Sequence, residues 1–200
     1  LGIGGAVLGY PLIHFLYGHE FIGAQRPLQI LFLASIITGT CNPGAAVLYG
    51  YERQGFIFKL GAIMAVINII LDILLIKPFG AVGAAVCFAV TTTIGSIIGT
   101  VYTCSVMHLR FPLASVTKVF FAAIIMGIGM ELIVLQNHEL PGFILAVLAG
   151  SVIYLVSALV LGTFEEEDYT LLQSARDAFP GRTKTVADWF IKLVGEFKQS

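Results

Sequence analysis

The sequence predicts an all-α membrane protein, and three observations carry that prediction. Of 200 residues, 58% are hydrophobic and only 12% charged, and the mean hydropathy is +0.93; a soluble domain wrapped in a polar shell does not reach that balance. Apolar runs of roughly 20 residues recur, each long enough to cross about 30 Å of hydrocarbon at 1.5 Å per residue. The runs are continuous and do not alternate over about ten residues as the strands of a membrane β-barrel do. Lipid offers no hydrogen bonds to the backbone, so such runs should be helices.

Six transmembrane helices are expected, over residues 1–17, 27–49, 56–76, 82–107, 113–135 and 143–161. The polar turn "GYERQG" separates the second from the third, "KPFG" the third from the fourth, "HLRFP" the fourth from the fifth, and "QNHELPG" the fifth from the sixth. Residues 1–163 thus form one transmembrane bundle, and 164–200 a tail of soluble character. The first run is apolar from Leu1, with no basic region before it and no small-residue cleavage site, unlike a signal peptide. Further chain is expected upstream.

Loop charges give the orientation, because Lys and Arg are retained on the cytoplasmic side. Arg53, Lys59, Arg110 and Lys118 flank two of the turns, and Arg176, Arg182, Lys184, Lys192 and Lys198 lie in the tail, whereas the opposite turns hold only Arg26 and Lys77. The carboxyl terminus is therefore expected in the cytoplasm. In the tail, Thr163 with Glu166 fits a capping box, and "EEED" suits a helix N-terminus. After Pro180-Gly181, the residues Val186, Trp189, Phe190, Leu193, Val194 and Phe197 recur at helical spacing, opposite Asp188, Lys192, Glu196 and Lys198. That amphipathic helix either lies on the membrane or packs against the bundle or a partner.

Charged groups inside apolar runs are costly, so they face a bundle interior or a watery cavity. Gly61, Ala65, Asn68 and Asp72 share one helical face. Two readings of Asp72 stand: a cavity carboxylate that takes a proton, a cation or a sugar hydroxyl, or a group that reaches the interface or pairs with Lys77. Glu131 lies on a small-residue face with Ala123 and Gly127; it either opens on a cavity or hydrogen-bonds across a helix contact. His14 shares a face with Tyr10 and Tyr17, as a site group or as a satisfied polar residue. Gly95 and Gly99, extended by Thr91 and Thr103, form a seam for close helix packing. Pro43, after Asn42, should kink the second helix, with Asn42 and Thr38 re-satisfying freed backbone groups and a gate hinge as one use of the kink.

Enzyme chemistry has no anchor in the sequence: no phosphate-cradling glycine loop, no H-E-x-x-H, no G-x-S-x-G with spaced Asp and His. Cys41, Cys87 and Cys104 lie inside apolar runs without a C-x-x-C pair, so they read as small core residues, and no metal or cofactor is expected. No nucleic-acid footprint is present.

The stretch "NIILDILLIKPFGAVGAAV" resembles the segment of polysaccharide flippases in which a helix ends, a Pro-Phe-Gly turn follows, and the next helix starts on Gly-Ala-Ala. "PLIHFLYGHEFIGAQRPLQIL", with Pro11, Tyr17, Gly18 and Phe21, and the link "LYGYERQGFIFKLG" are similar to the same family. The likeness covers about residues 9–89; the last two spans match in hydropathy and in the "FEEEDY" start of the tail. It points to the O-antigen-type, lipid-linked oligosaccharide flippase branch of the multidrug/oligosaccharidyl-lipid/polysaccharide exporter superfamily. The resemblance implies the carboxyl-terminal bundle of a larger two-bundle transporter working by alternating access, with a lipid-linked sugar as substrate. Membrane lipids surround it, and glycan polymerases or glycosyltransferases are its expected partners.

One mismatch accompanies it. The polar stripe is acidic or neutral, while a sugar diphosphate wants Arg or Lys, which would come from the upstream part. The alternative within the superfamily is a proton- or sodium-coupled multidrug or cation exporter, with Asp72 and Glu131 as coupling carboxylates. A membrane-embedded glycan transferase would need a large extramembrane loop with paired acidic or His residues, and every loop is short.

Overall fold

A computed structural model of the chain describes residues 2–50, 54–108, 111–136 and 140–163, without the side chains of 42–47 and 49. The described residues form helices and short connections, with no strand among them. In chain order the α-helices are α1 (Gly2–Val7), α2 (Gly9–Tyr17), α3 (Gln25–Gly50), α4 (Gln54–Met107), α5 (Leu113–Gln136) and α6 (Leu140–Val160), with a 3-10 turn, His19–Ala24, leading into α3.

The first expected span is not one helix. It breaks at Leu8 into α1 and α2, of 6 and 9 residues. The cause is Pro11, which has no N–H to donate to the carbonyl of Val7 four residues back and whose ring crowds that carbonyl. The flanking bonds survive, from Leu8 N to Gly4 O at 2.9 Å and from Leu12 N to Leu8 O at 2.9 Å.

The third and fourth spans form one element of 54 residues whose path turns at Gly80, where φ is 57° and ψ −133°. Only glycine occupies that region without strain. Two arms then run back along one another in antiparallel register. Gly95 faces Met64, Gly99 faces Leu60, and Phe56 stacks on Tyr102 at 3.6 Å, each pair placed symmetrically about the turn. At Gly83 the arms come so close that a Cβ would overlap the Leu75 carbonyl. Each arm, of about 26 residues, rises roughly 39 Å at 1.5 Å per residue.

Among the described residues, four helical stretches are long and apolar enough to cross a membrane, Gln54–Met107 counting as one and the α1–α2 pair not counting. That is how the count departs from the six expected. Their flanks carry exposed Ile69, Ile73, Leu74, Phe121 and Leu148, which suits a hydrocarbon solvent and describes a multi-pass membrane protein.

Helix α3 packs along α4, α5 along α6, and α1 bridges the two pairs through contacts with α3 and α5. The core lies under that bridge, where Leu8, Met126, Met130 and Ala146 are buried against Val7, Phe143 and Ile153. Flexible Met side chains fill the space beside Gly4 and Gly150. Helix α6 ends in a Schellman motif: Gly162 N donates to Leu159 O and Thr163 N to Ala158 O, both at 3.1 Å. The Lys118 ammonium caps the same end by donating to Gly162 O at 2.9 Å. The Thr163 hydroxyl donates back to Ala158 O at 2.9 Å; the tail helix it was expected to cap lies outside the described residues. So do the side chains of Asn42 and Pro43, on which the expected kink rests.

Candidate functional site

Of the expected site residues, Asn68, Gly95 and Gly99 line one cavity beside α3 and Tyr10 and Glu131 line a second, while Asp72 and His14 line neither. The first, of about 390 Å³, lies between the carboxyl half of α3 and the arms of α4, with Cys41 and Leu48 on one side and Asn68, Thr91, Gly95 and Gly99 on the other. The second, of about 550 Å³, lies between the amino half of α3 and the helices α1, α2 and α5, and Tyr10, Gln25, Gln29 and Glu131 line it. The second is lined by α3 residues from Gln25 to Leu33 and the first by α3 residues from Cys41 to Leu48, so the cavities lie along opposite halves of α3.

A polar chain crosses the first cavity between the arms. Asn68 Nδ2 donates to Thr91 Oγ1 at 3.3 Å, and Thr91 Oγ1 donates to Cys87 O at 2.8 Å. One turn nearer Gly80, the carboxylate of half-buried Asp72 meets the buried Cys87 thiol. Asn68 and Asp72 therefore face Thr91 and Cys87 in the same antiparallel register as the apolar pairs. Lys77, weighed as a partner for Asp72, is exposed at the turn, while Cys87, beside Asp72, is on the other arm. Thr100 Oγ1 donates to Cys41 O at 3.1 Å, which ties α4 to α3. A Cβ on Gly95 would lie 3.2 Å from Met64 Cγ, and one on Gly99 3.9 Å from Leu60 Cδ2, so both glycines sit where the arms touch.

At the second cavity the chain brings together Tyr10 and Glu131, which are far apart in sequence. Gln29 Nε2 donates to Ala6 O at 3.1 Å, and Gly9 leaves room for that side chain, since a Cβ there would lie 3.2 Å from Gln29 Cγ. His14 stands behind Tyr10, with its ring parallel at 5.9 Å between centroids, and meets His19 edge-on at 6.1 Å. Its Nδ1 is buried with no hydrogen-bond partner among the described residues. Tyr17, expected on the same face, instead meets Phe21 at 6.0 Å.

The chain is similar to a probable glycan flippase. Over 158 residues it is 25% identical to the probable low-salt glycan biosynthesis flippase Agl15 of Haloferax volcanii, a match that covers 78% of this chain and 33% of that flippase. The chain thus spans about a third of the flippase's length. No family model matches the chain, and no solved structure does.

The two walls carry hydroxyls, amides and, in the second, the Glu131 carboxylate, in mostly apolar surroundings. Among the described residues no three His, Cys, Asp or Glu side chains are grouped to hold a metal ion. Reading the sequence for charge missed Gln25 and Gln29, which lie four apart in the first turns of α3 and resemble ordinary residues of a span end. It also missed Cys87 as the neighbour of Asp72, because only the fold of the α4 arms brings them together.

Proposed function

We propose that the chain is part of a plasma-membrane transporter that translocates lipid-linked oligosaccharide or polysaccharide precursors by alternating access. The observation that carries this reading is the similarity to a probable glycan flippase along 78% of the chain. Two cavities beside α3, one along each half of it, suit such a cycle. A polar head group would pass from one to the other while the lipid tail stays in the bilayer.

In this reading α1 and α2 act together as one crossing and the α4 arms as two, which makes six. Those six form one of two related bundles, with the carboxyl terminus in the cytoplasm as the Lys and Arg bias expects. Asn68, Asp72, Glu131, Tyr10 and His14 are its cavity and coupling residues. Glycan polymerases or glycosyltransferases would meet it at the membrane surface.

The reading is tested by expressing the complete protein in cells that lack their own glycan flippase and measuring surface glycan. Restored surface glycan is the expected result. If the protein accumulates in the membrane and lipid-linked precursor still builds up on the cytoplasmic face, the reading is wrong.

A further inference from the structure

Among the described residues, the wall of the cavity between α1, α2, α3 and α5 is rich in hydrogen-bond acceptors and holds no Lys or Arg. Glu131 supplies a carboxylate. The Gln29 amide nitrogen is engaged by Ala6 O, which fixes the group and leaves its Oε1 for an incoming donor. Pro11, in the same wall, deprives the Val7 carbonyl of its helical donor, and Val7 lines the cavity too. Tyr10 is 43% exposed, and the His14 ring lies parallel to its own at 5.9 Å.

A diphosphate does not suit such a wall. It is recognised by basic side chains, and a carboxylate in a largely apolar surrounding repels it. An uncharged pyranose does suit it: hydroxyl donors meet the acceptors, and the C–H face of the sugar packs on the tyrosine ring. At about 550 Å³ the space is of the size that small-molecule sites use.

We infer that this cavity binds the uncharged sugar part of the substrate, away from its diphosphate, and that Glu131 selects against acidic sugars. The inference rests on the flippase reading and adds to it the class of sugar and the residues that choose it. Tyr10 supplies the platform, Gln29 and Glu131 the hydroxyl contacts.

The test uses the complete protein in lipid nanodiscs and three short-chain polyprenyl diphosphates: one carrying a glucose disaccharide, one carrying the same disaccharide ending in glucuronate, and one without sugar. The wild type should bind the first about tenfold tighter than either of the others, the scale of one hydrogen bond to a charged group. Glu131→Gln should erase the discrimination against glucuronate, and Glu131→Asp, which keeps the charge, should retain it. Tyr10→Leu should weaken the neutral glycolipid and leave the sugarless diphosphate unchanged.

If the wild type binds the three alike and these substitutions change nothing, the sugar site is overturned while the flippase reading stands. If no lipid probe binds but free glucose disaccharide does, in a Tyr10- and Glu131-dependent way, the site stands and the flippase reading falls. Binding of neither overturns both, and tighter binding of choline than of the disaccharide makes the cavity a cation site and overturns the inference.

Discussion

Thr91 shows how one hydroxyl joins two helical arms. It is 4% exposed, accepts from Asn68 and donates to Cys87 O, so replacing it by the isosteric valine removes the interhelical bond together with the bond to its own helix and leaves the Asn68 amide without its partner. Thr91→Val should destabilise the protein by about 0.6 kcal/mol, the average for interhelical hydrogen bonds in membranes, with about 1.7 as the upper end. A denaturation titration in mixed detergent micelles reads this, and unchanged or increased stability would mean that the bond is not made. The Cys87 thiol, 0% exposed beneath Asp72, should react with a maleimide more slowly than half-buried Cys41 and Cys104. Equal labelling of all three, read by peptide mass spectrometry, would contradict the closed contact. At this scale the sequence told that Asn68 and Asp72 share a face, because helical spacing is local. It could not tell what they face, since Thr91 and Cys87 come from beyond a turn whose register only the fold sets.

Elements were readable where propensity decides and hidden where a single residue overrides an apolar run. α5 was expected at 113–135 and spans Leu113–Gln136, because nothing in it interrupts the pattern. The first run looks equally apolar, yet Pro11 splits it, and the signal was simply a proline four residues after Val7. Pro11→Ala should let α1 and α2 fuse, so that the new N–H at position 11 exchanges slowly in hydrogen-exchange mass spectrometry; rapid exchange there would mean that the break has another cause. The α4 turn is more demanding. Gly80→Ala puts a Cβ on a backbone at φ 57° and ψ −133°, at a cost of about 1–3 kcal/mol, and Gly83→Ala drives one into the Leu75 carbonyl. Gly95→Ala meets only the flexible Met64 side chain, at 3.2 Å. Thermal stability in detergent should therefore fall for the first two and change least for Gly95→Ala; the opposite order would place the close contact elsewhere along the arms.

For the whole molecule, composition alone announced a helical membrane protein, since lipid leaves the backbone no other hydrogen-bonding solution. Which helices touch was not readable. The apolar faces are alike in composition, and the choice among them depends on where small residues, methionines and single polar groups happen to meet. The fold places α3 between the α4 arms and the α1–α2–α5 group, and this makes its two halves walls of different cavities. In a chain stripped of its own cysteines, Gln29→Cys and Ser96→Cys sample one cavity each. If the cavities serve alternating access, a membrane-impermeant maleimide should label Gln29→Cys from one face of the membrane and Ser96→Cys from the other. In the orientation proposed from the Lys and Arg bias, the face for Gln29→Cys should be the external one. A substrate that holds one conformation should then slow one label and speed the other. Labelling of both from the same face would place the two cavities on one aqueous side, and α3 would no longer divide them.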